Sequence, residues 1–120
     1  MDLALNHMVA PRLHWRELFD LARATGARAV ELRGDLGRPV FDGDTGATVR
    51  AEARGLRILT LAELPRFDAW DDDVARAART LIAQAVSCGA GGITLIPCND
   101  DRSGTDLRAA LRGLAPMLAE

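Results

Sequence analysis

Gly26-Ala27-Arg28-Ala29-Val30-Glu31-Leu32-Arg33 is the stretch that decides the fold. Ahead of it, Trp15, Leu18, Phe19 and Ala22 recur at i, i+3, i+4 and i+7, the spacing of one helix face. Gly26 then closes the helix, because glycine takes the left-handed conformation that a helix C-cap needs. Within three residues Ala29-Val30-Glu31-Leu32 begins an apolar run of strand length. A helix feeding a strand through so tight a turn is part of a crossover unit, and crossover units join parallel strands.

The unit recurs in both directions. Leu3-Ala4-Leu5-Asn6 precedes it; the run 56–61 and Ile93-Thr94-Leu95-Ile96 follow. Helical spacing returns in Val74, Ala77, Ala78, Leu81, Ile82 and Ala85, and again in Leu107, Ala110, Leu111, Leu114 and Leu118. The segment 45–54 is the weakest helix, with Val49 its only large aliphatic side chain. Gly55 and Gly89 cap helices as Gly26 does. Pro116 should kink the last helix or mark its frayed end. The pattern predicts an α/β fold with four parallel βα units, (βα)4, in one domain over residues 1–120. No Pro/Gly/Ser linker divides it.

Composition agrees and excludes several functions. A chain of 120 residues and 12.9 kDa holds one core. With 48% hydrophobic and 27% charged residues it belongs to folded proteins, not disordered ones. All 15 basic residues are Arg, so a lysine Schiff base and a P-loop lysine are excluded. A net charge of -2 disfavours nucleic acid. No apolar run has the roughly 18–20 residues of a membrane span. The Met-Asp start lacks the basic region of an export signal. Cys88 and Cys98 are too few for a disulfide framework, so both are expected as free thiols in a cytoplasmic chain.

In parallel α/β folds, ligands bind at the carboxyl ends of the strands. Asn6 and His7 stand at the first such end. Glu31 and Arg33 stand at the second, two apart and on one face. Glu63, Arg66, Phe67 and Asp68 follow the third; Asn99, Asp100 and Asp101 follow the fourth. So many donors and acceptors suit a hydroxylated ligand. His7 and Glu31 are the candidates for moving a proton, against the plainer roles of a hydrogen-bonded rim histidine and an ion pair to Arg33. His14, three residues before Glu17, fits a capping box. Asp71-Asp72-Asp73 is expected to cap a helix rather than bind metal. Gly89-Ala90-Gly91-Gly92 precedes a strand, so its amides face the wrong end for a phosphate loop. Cys98 is expected as a small buried filler.

Several of these segments resemble the xylose isomerase-like TIM barrel family, the sugar phosphate isomerase/epimerase group. The likeness lies in Leu3-Ala4-Leu5-Asn6-His7-Met8-Val9-Ala10-Pro11, in Trp15-Arg16-Glu17-Leu18-Phe19-Asp20-Leu21-Ala22 and in the stretch from Gly26 to Arg33. Arg66-Phe67 with Trp70, and Pro97-Cys98-Asn99-Asp100, continue it. The resemblance implies half of a (β/α)8 barrel, ending after the fourth βα unit. It implies a substrate-lining role for Asn6, His7, Glu31, Arg33, Arg66, Phe67, Asn99 and Asp100. It also implies a sugar, polyol or hydroxy-carbonyl substrate, and a divalent metal (Mn, Mg, Zn or Co) in full-length relatives. The metal ligands of the family fall on later strands, so none is expected here, and the isolated chain is expected to be inactive. Ala62, Pro65 and Asp68 depart from the family pattern, as does His14 in place of a capping Ser.

Two rival readings fit the same residues. A half-barrel leaves its first and last strands as open edges, which favours self-association, with a small molecule as the other partner and no nucleic acid or membrane. A flavodoxin-like open sheet is the other, and it requires a different strand order.

Overall fold

The computed structural model describes residues 1–99 and 107–120. Strand β1 (Ala4–Asn6) runs into a 3-10 turn at His7–Val9. Then come α1 (Trp15–Ala24), β2 (Ala29–Arg33), α2 (Gly46–Ala53), β3 (Arg57–Pro65), α3 (Asp72–Cys88), β4 (Ile93–Ile96) and α4 (Leu107–Leu118). The four strands form one parallel sheet in the order β1-β2-β3-β4. Sequential order has no switch point, so the flavodoxin-like alternative falls and the half-barrel stands. No helix among the described residues is long and apolar enough to cross a membrane.

The local signals act as their chemistry requires. Gly26, Gly55 and Gly89 have φ of +74°, +82° and +76°, the region where a side chain is strained. The His14 ring nitrogen Nδ1 accepts from the Arg16 amide at 3.1 Å, and its own amide donates to Glu17 at 3.0 Å. That completes a capping box with a histidine. Asp71 caps α3 by accepting from the Val74 amide at 2.8 Å, with Asp72 and Asp73 in the first turn. The acidic triplet is therefore a helix start.

Strand β3 runs four residues past the expected end at Leu61. Register shifts between Ala62 and Leu64 add a residue, which lets Leu64 as well as Leu61 bury against the helices. The polar Glu63 between them hid this continuation from a reading based on apolar runs.

The core fills the space between one side of the sheet and the helices. Val30 and Leu32 of β2, and Leu61 and Leu64 of β3, meet Leu18, Phe19 and Ala22 of α1, Val49 of α2 and Ala78 of α3. Burial of each large member contributes about 1.5–3 kcal/mol. Helix α4 joins through Ala110 and Leu114, and Pro116 lies inside its last turns.

Packing of α2 on α3 needs a glycine. A Cβ at Gly46 would lie 2.6 Å from the Ser87 Cβ and 3.0 Å from the Ser87 carbonyl carbon, so no side-chain rotation relieves it. Gly46→Ala is expected to destabilise the fold by about 1–3 kcal/mol. Ser87→Gly in the same chain should recover part of that loss. Urea denaturation of the two variants checks both, and an unchanged Gly46→Ala midpoint would refute the close approach.

Candidate functional site

Strand alternation sorts the site from the core. Val30 and Leu32 point to the helices, so Glu31 and Arg33 point to the opposite, concave face. Asn6 of β1 is in register with Glu31, and Glu31 with Thr60 of β3, forming one polar row across three strands. The Asn6 side-chain oxygen Oδ1 accepts from the Met8 amide at 2.9 Å, capping the 3-10 turn. That leaves Nδ2 aimed at Glu31, to which it donates at 3.0 Å.

Arg33 is the centre of the second group. Its Nε and Nη2 donate to the two Asp35 carboxylate oxygens at 2.8 and 2.6 Å, a bidentate pair. Nη2 also lies 3.5 Å from Glu63 Oε2. The hydrogen bond from Arg33 holds the Asp35 carboxyl below the usual carboxylate range, and Asp35 in turn raises the guanidinium further. Glu31, Asp35 and Glu63 all act on this one guanidinium. The cluster is therefore net acidic and rich in acceptors. Farther along, the Thr94 hydroxyl of β4 donates to that of Thr60 at 3.3 Å. A groove of about 560 Å³ lies between the β2–α2 connection and α3, lined by Asp35, Val40, Glu63, Asp73, Arg76 and Gln84 among others; it touches the cluster at Asp35 and Glu63, and Asn6, Glu31 and Arg33 do not line it.

His7 is placed differently. Its side chain is only 2% exposed, within the 3-10 turn that follows β1. Nε2 lies 2.8 Å from the Leu13 carbonyl, which can only accept, so Nε2 carries the proton and Nδ1 is bare. Nδ1 has no hydrogen-bond partner and no solvent contact. Arg38 also donates to the Leu13 carbonyl. His7 thus pins the segment leading to α1. Burial lowers its pKa, and the charges of Arg38, His14 and Arg33 push the same way.

A pH effect on stability follows. The folded pKa lies below the unfolded value of 6.5. The unfolded chain therefore binds the proton first, and stability is lost as pH falls below about 6.5 toward the folded pKa. His7→Gln is expected to flatten the stability curve over that window. Chemical denaturation between pH 5 and 7.5 measures it, and an unchanged slope in the variant would refute the assignment.

The remaining sequence candidates have other surroundings. Arg66 is exposed, with a left-handed φ of +56°. Phe67 packs into the core, and its amide donates to the Ile96 carbonyl at 3.2 Å. Asn99 is exposed after β4, and Asp100 lies outside the described residues. Asp68 is buried and accepts from the Cys98 amide at 2.7 Å, tying the end of β3 to the end of β4. Cys88 and Cys98 are buried free thiols, and burial pushes the Cys88 thiol up. The structure therefore brings Asn6, Glu31, Arg33 and Glu63 together and adds Asp35, Thr60 and Thr94. Thr60 and Thr94 are polar residues inside apolar strand runs, a signal legible in the sequence. The partnership of Asp35 with Arg33 had only its two-residue spacing to announce it.

These side chains do not fit a divalent cation. Asn6 engages Glu31, Arg33 engages Asp35 and Glu63, and no group of three His, Cys, Asp or Glu among the described residues is arranged for a metal.

Comparison with solved structures places the fold. A xylose isomerase domain-containing protein from Salmonella typhimurium LT2 matches with a TM-score of 0.90 at 27% identity, covering 97% of this chain and 44% of that one. A protein from Sinorhizobium meliloti 1021 matches with a TM-score of 0.72 at 19% identity, covering 98% of this chain and 46% of the other. The chain spans less than half the length of either. No family model and no curated protein matches the sequence. Four parallel βα units in sequential order, superimposing closely on the Salmonella domain, give this chain the fold of half a xylose isomerase-like TIM barrel.

Proposed function

We propose that the chain supplies the substrate-holding half of a sugar isomerase/epimerase-type site, and that alone it binds a small polyol, keto sugar or hydroxy-carbonyl compound without converting it. The observation that carries this is the polar cluster on the concave face: Asn6 with Glu31, and Arg33 with Asp35 and Glu63. Carboxylates accept from hydroxyl groups, while the guanidinium and the Asn6 amide donate to hydroxyl or carbonyl oxygens. Three carboxylates acting on one guanidinium favour an uncharged ligand over a phosphorylated one. Thr60 and Thr94 extend the row with hydroxyls.

Conversion needs a group that moves a proton at the ligand. His7 is walled off with its exchangeable proton committed to Leu13, and Glu31, held at Oε2 by the Asn6 amide, offers Oε1 as an acceptor to a ligand hydroxyl. The cluster therefore binds and orients. NMR titration with a ketohexose, an inositol and dihydroxyacetone tests this. Shifts centred on Asn6, Glu31, Arg33 and Thr60, with no isomerised product after adding Mn2+ or Mg2+, are expected. Turnover by the purified chain, or shifts confined to another surface, would overturn the reading.

A further inference from the structure

A groove at the far end of the sheet carries charge of the opposite sign to the polar cluster. The cluster of Arg33, Asp35 and Glu63 stands at the carboxyl ends of β2 and β3. At their amino ends, a groove of about 600 Å³ lies between the start of β3 and the C-terminal ends of α2 and α3. Arg50, Arg54 and Arg57 line it, and no carboxylate among the described residues does. Ala53, Leu56 and Ile58 supply an apolar part of the lining. The volume falls within the ~300–1,000 Å³ of small-molecule sites. Each wall has its neighbours in place: β3 lies between β2 and β4, α2 touches α1 and α3, and α3 touches α2 and α4. The groove therefore sits inside the four-unit array, away from the two sides of the sheet.

An arginine near a helix C-terminus ordinarily serves the carbonyls left open there. In this groove other groups fill that role. Arg23 of α1 donates to the Glu52 and Arg54 carbonyls at the end of α2, at 2.6 and 3.4 Å. At the end of α3, the Gly89 and Ala90 amides donate to the Val86 and Ala85 carbonyls at 3.2 and 2.9 Å. The Arg50 guanidinium has neither a hydrogen bond nor a carboxylate partner among the described residues. Its side chain lies against Gly89, where a Cβ would stand 3.3 Å from Nε and 3.6 Å from Cζ. Arg54 and Arg57 have only long ion pairs on exposed side chains, to Glu52 at 3.6 Å and to Asp2 at 3.7 Å. Asp2 is shared with Arg28 at 3.5 Å. Exposed pairs of this kind contribute little, so they do not compete strongly with a bound anion.

We propose that this groove is a second ligand site, for a small phosphate monoester with an apolar body. A monoester carries a charge of about −1.5 to −2 at neutral pH and three acceptor oxygens. A carboxylate offers one charge and two oxygens, a poorer match to three arginines. The planar fork of a guanidinium binds phosphate oxygens in pairs. Ala53, Leu56 and Ile58 receive the apolar body, which inorganic phosphate lacks. The site shares no residue with the polyol-holding cluster, so it stands whether or not that reading does.

Amide NMR titration of the purified chain with phenyl phosphate, benzoate and inorganic phosphate tests the proposal. Saturable shifts centred on Gly55, Gly89 and Gly91 are expected, with phenyl phosphate binding at least about tenfold more tightly than either of the others. Arg50→Gln, a change at an exposed side chain, is expected to weaken phenyl phosphate binding at least about tenfold through one lost charge-assisted hydrogen bond. Arg79→Gln, exposed on α3 and outside the groove, is expected to leave binding unchanged. Circular dichroism verifies that both variants fold. The proposal is overturned if no saturable shift appears, or if the shifts centre on Glu31 and Arg33 instead. It is equally overturned if Arg79→Gln weakens binding as much as Arg50→Gln, or if benzoate or inorganic phosphate binds as tightly as phenyl phosphate.

Discussion

Trp15→Ala is expected to remove about 3–5 kcal/mol of stability, the largest loss from any single change described above. Trp15 is the first residue of α1 and is 1% exposed. Its ring meets Phe19 edge-on, with centroids 5.3 Å apart at 62°. Its indole N–H donates to the Phe41 carbonyl at 3.1 Å and lies 3.2 Å from Asp44 Oδ2. One side chain therefore locks α1, the core and the 34–45 connection together. Alanine there opens a cavity and removes one of the two hydrogen bonds at the Phe41 carbonyl, which keeps the one from the Asp44 amide. Domains of this size hold about 5–15 kcal/mol in total, so the variant should sit near its unfolding midpoint at modest urea. Trp15→Phe separates the two contributions: it keeps most of the packing and loses the N–H, and about 1–2 kcal/mol is expected. Trp70 remains as a fluorescent reporter in both. A shift below 1 kcal/mol for Trp15→Ala would show that α1 is not anchored through this ring.

Arg33→Ala is expected to disable ligand binding while leaving the fold in place. The guanidinium is the shared partner of Asp35 and Glu63 and feels Glu31 as well. Its removal leaves those carboxylates facing one another with no cation, and a ligand loses its main donor. At least a tenfold weakening of binding is expected for one lost charge-assisted hydrogen bond. The cost in stability should be about 1–3 kcal/mol, because the pair is only partly solvated. The titration of Asp35 provides an independent readout. Its folded pKa is depressed by Arg33. The stability this contributes is present above the ordinary carboxylate pKa and is lost as pH falls through the depressed value. In Arg33→Ala the Asp35 pKa is expected to rise to the ordinary range or above, and that acid-side stability change disappears. Carboxyl NMR titration measures the shift. An Asp35 that titrates alike in both chains would break the link between the bidentate pair and the cluster's electrostatics.

The capping box at His14, the Asp71 cap and the three closing glycines were legible because each depends on neighbours within three or four positions. The four βα units were legible for the same reason. Glu31 and Arg33 could be assigned to one face because a strand alternates with a period of two. Glu63 could not, because a register shift between Ala62 and Leu64 breaks that period. Its strand-end position leaves His7 open to proton transfer or to the role of a hydrogen-bonded rim histidine. Its burial depends on Leu13 folding back over it and on Arg38, which comes from 31 residues away in sequence.

Spacing along the chain thus determined the parallel βα units, their boundaries to within a few residues, and the placing of Glu31 and Arg33 on one face of their strand. Only the tertiary structure decided the sequential strand order, the Arg33–Asp35–Glu63 cluster and the burial of His7. The division has a physical cause. Helix periodicity, capping and strand alternation are short-range, so the covalent sequence carries them directly. Which carboxylate meets which guanidinium depends on bulges and on chain segments distant in sequence, and these are settled only when the sheet closes around its core.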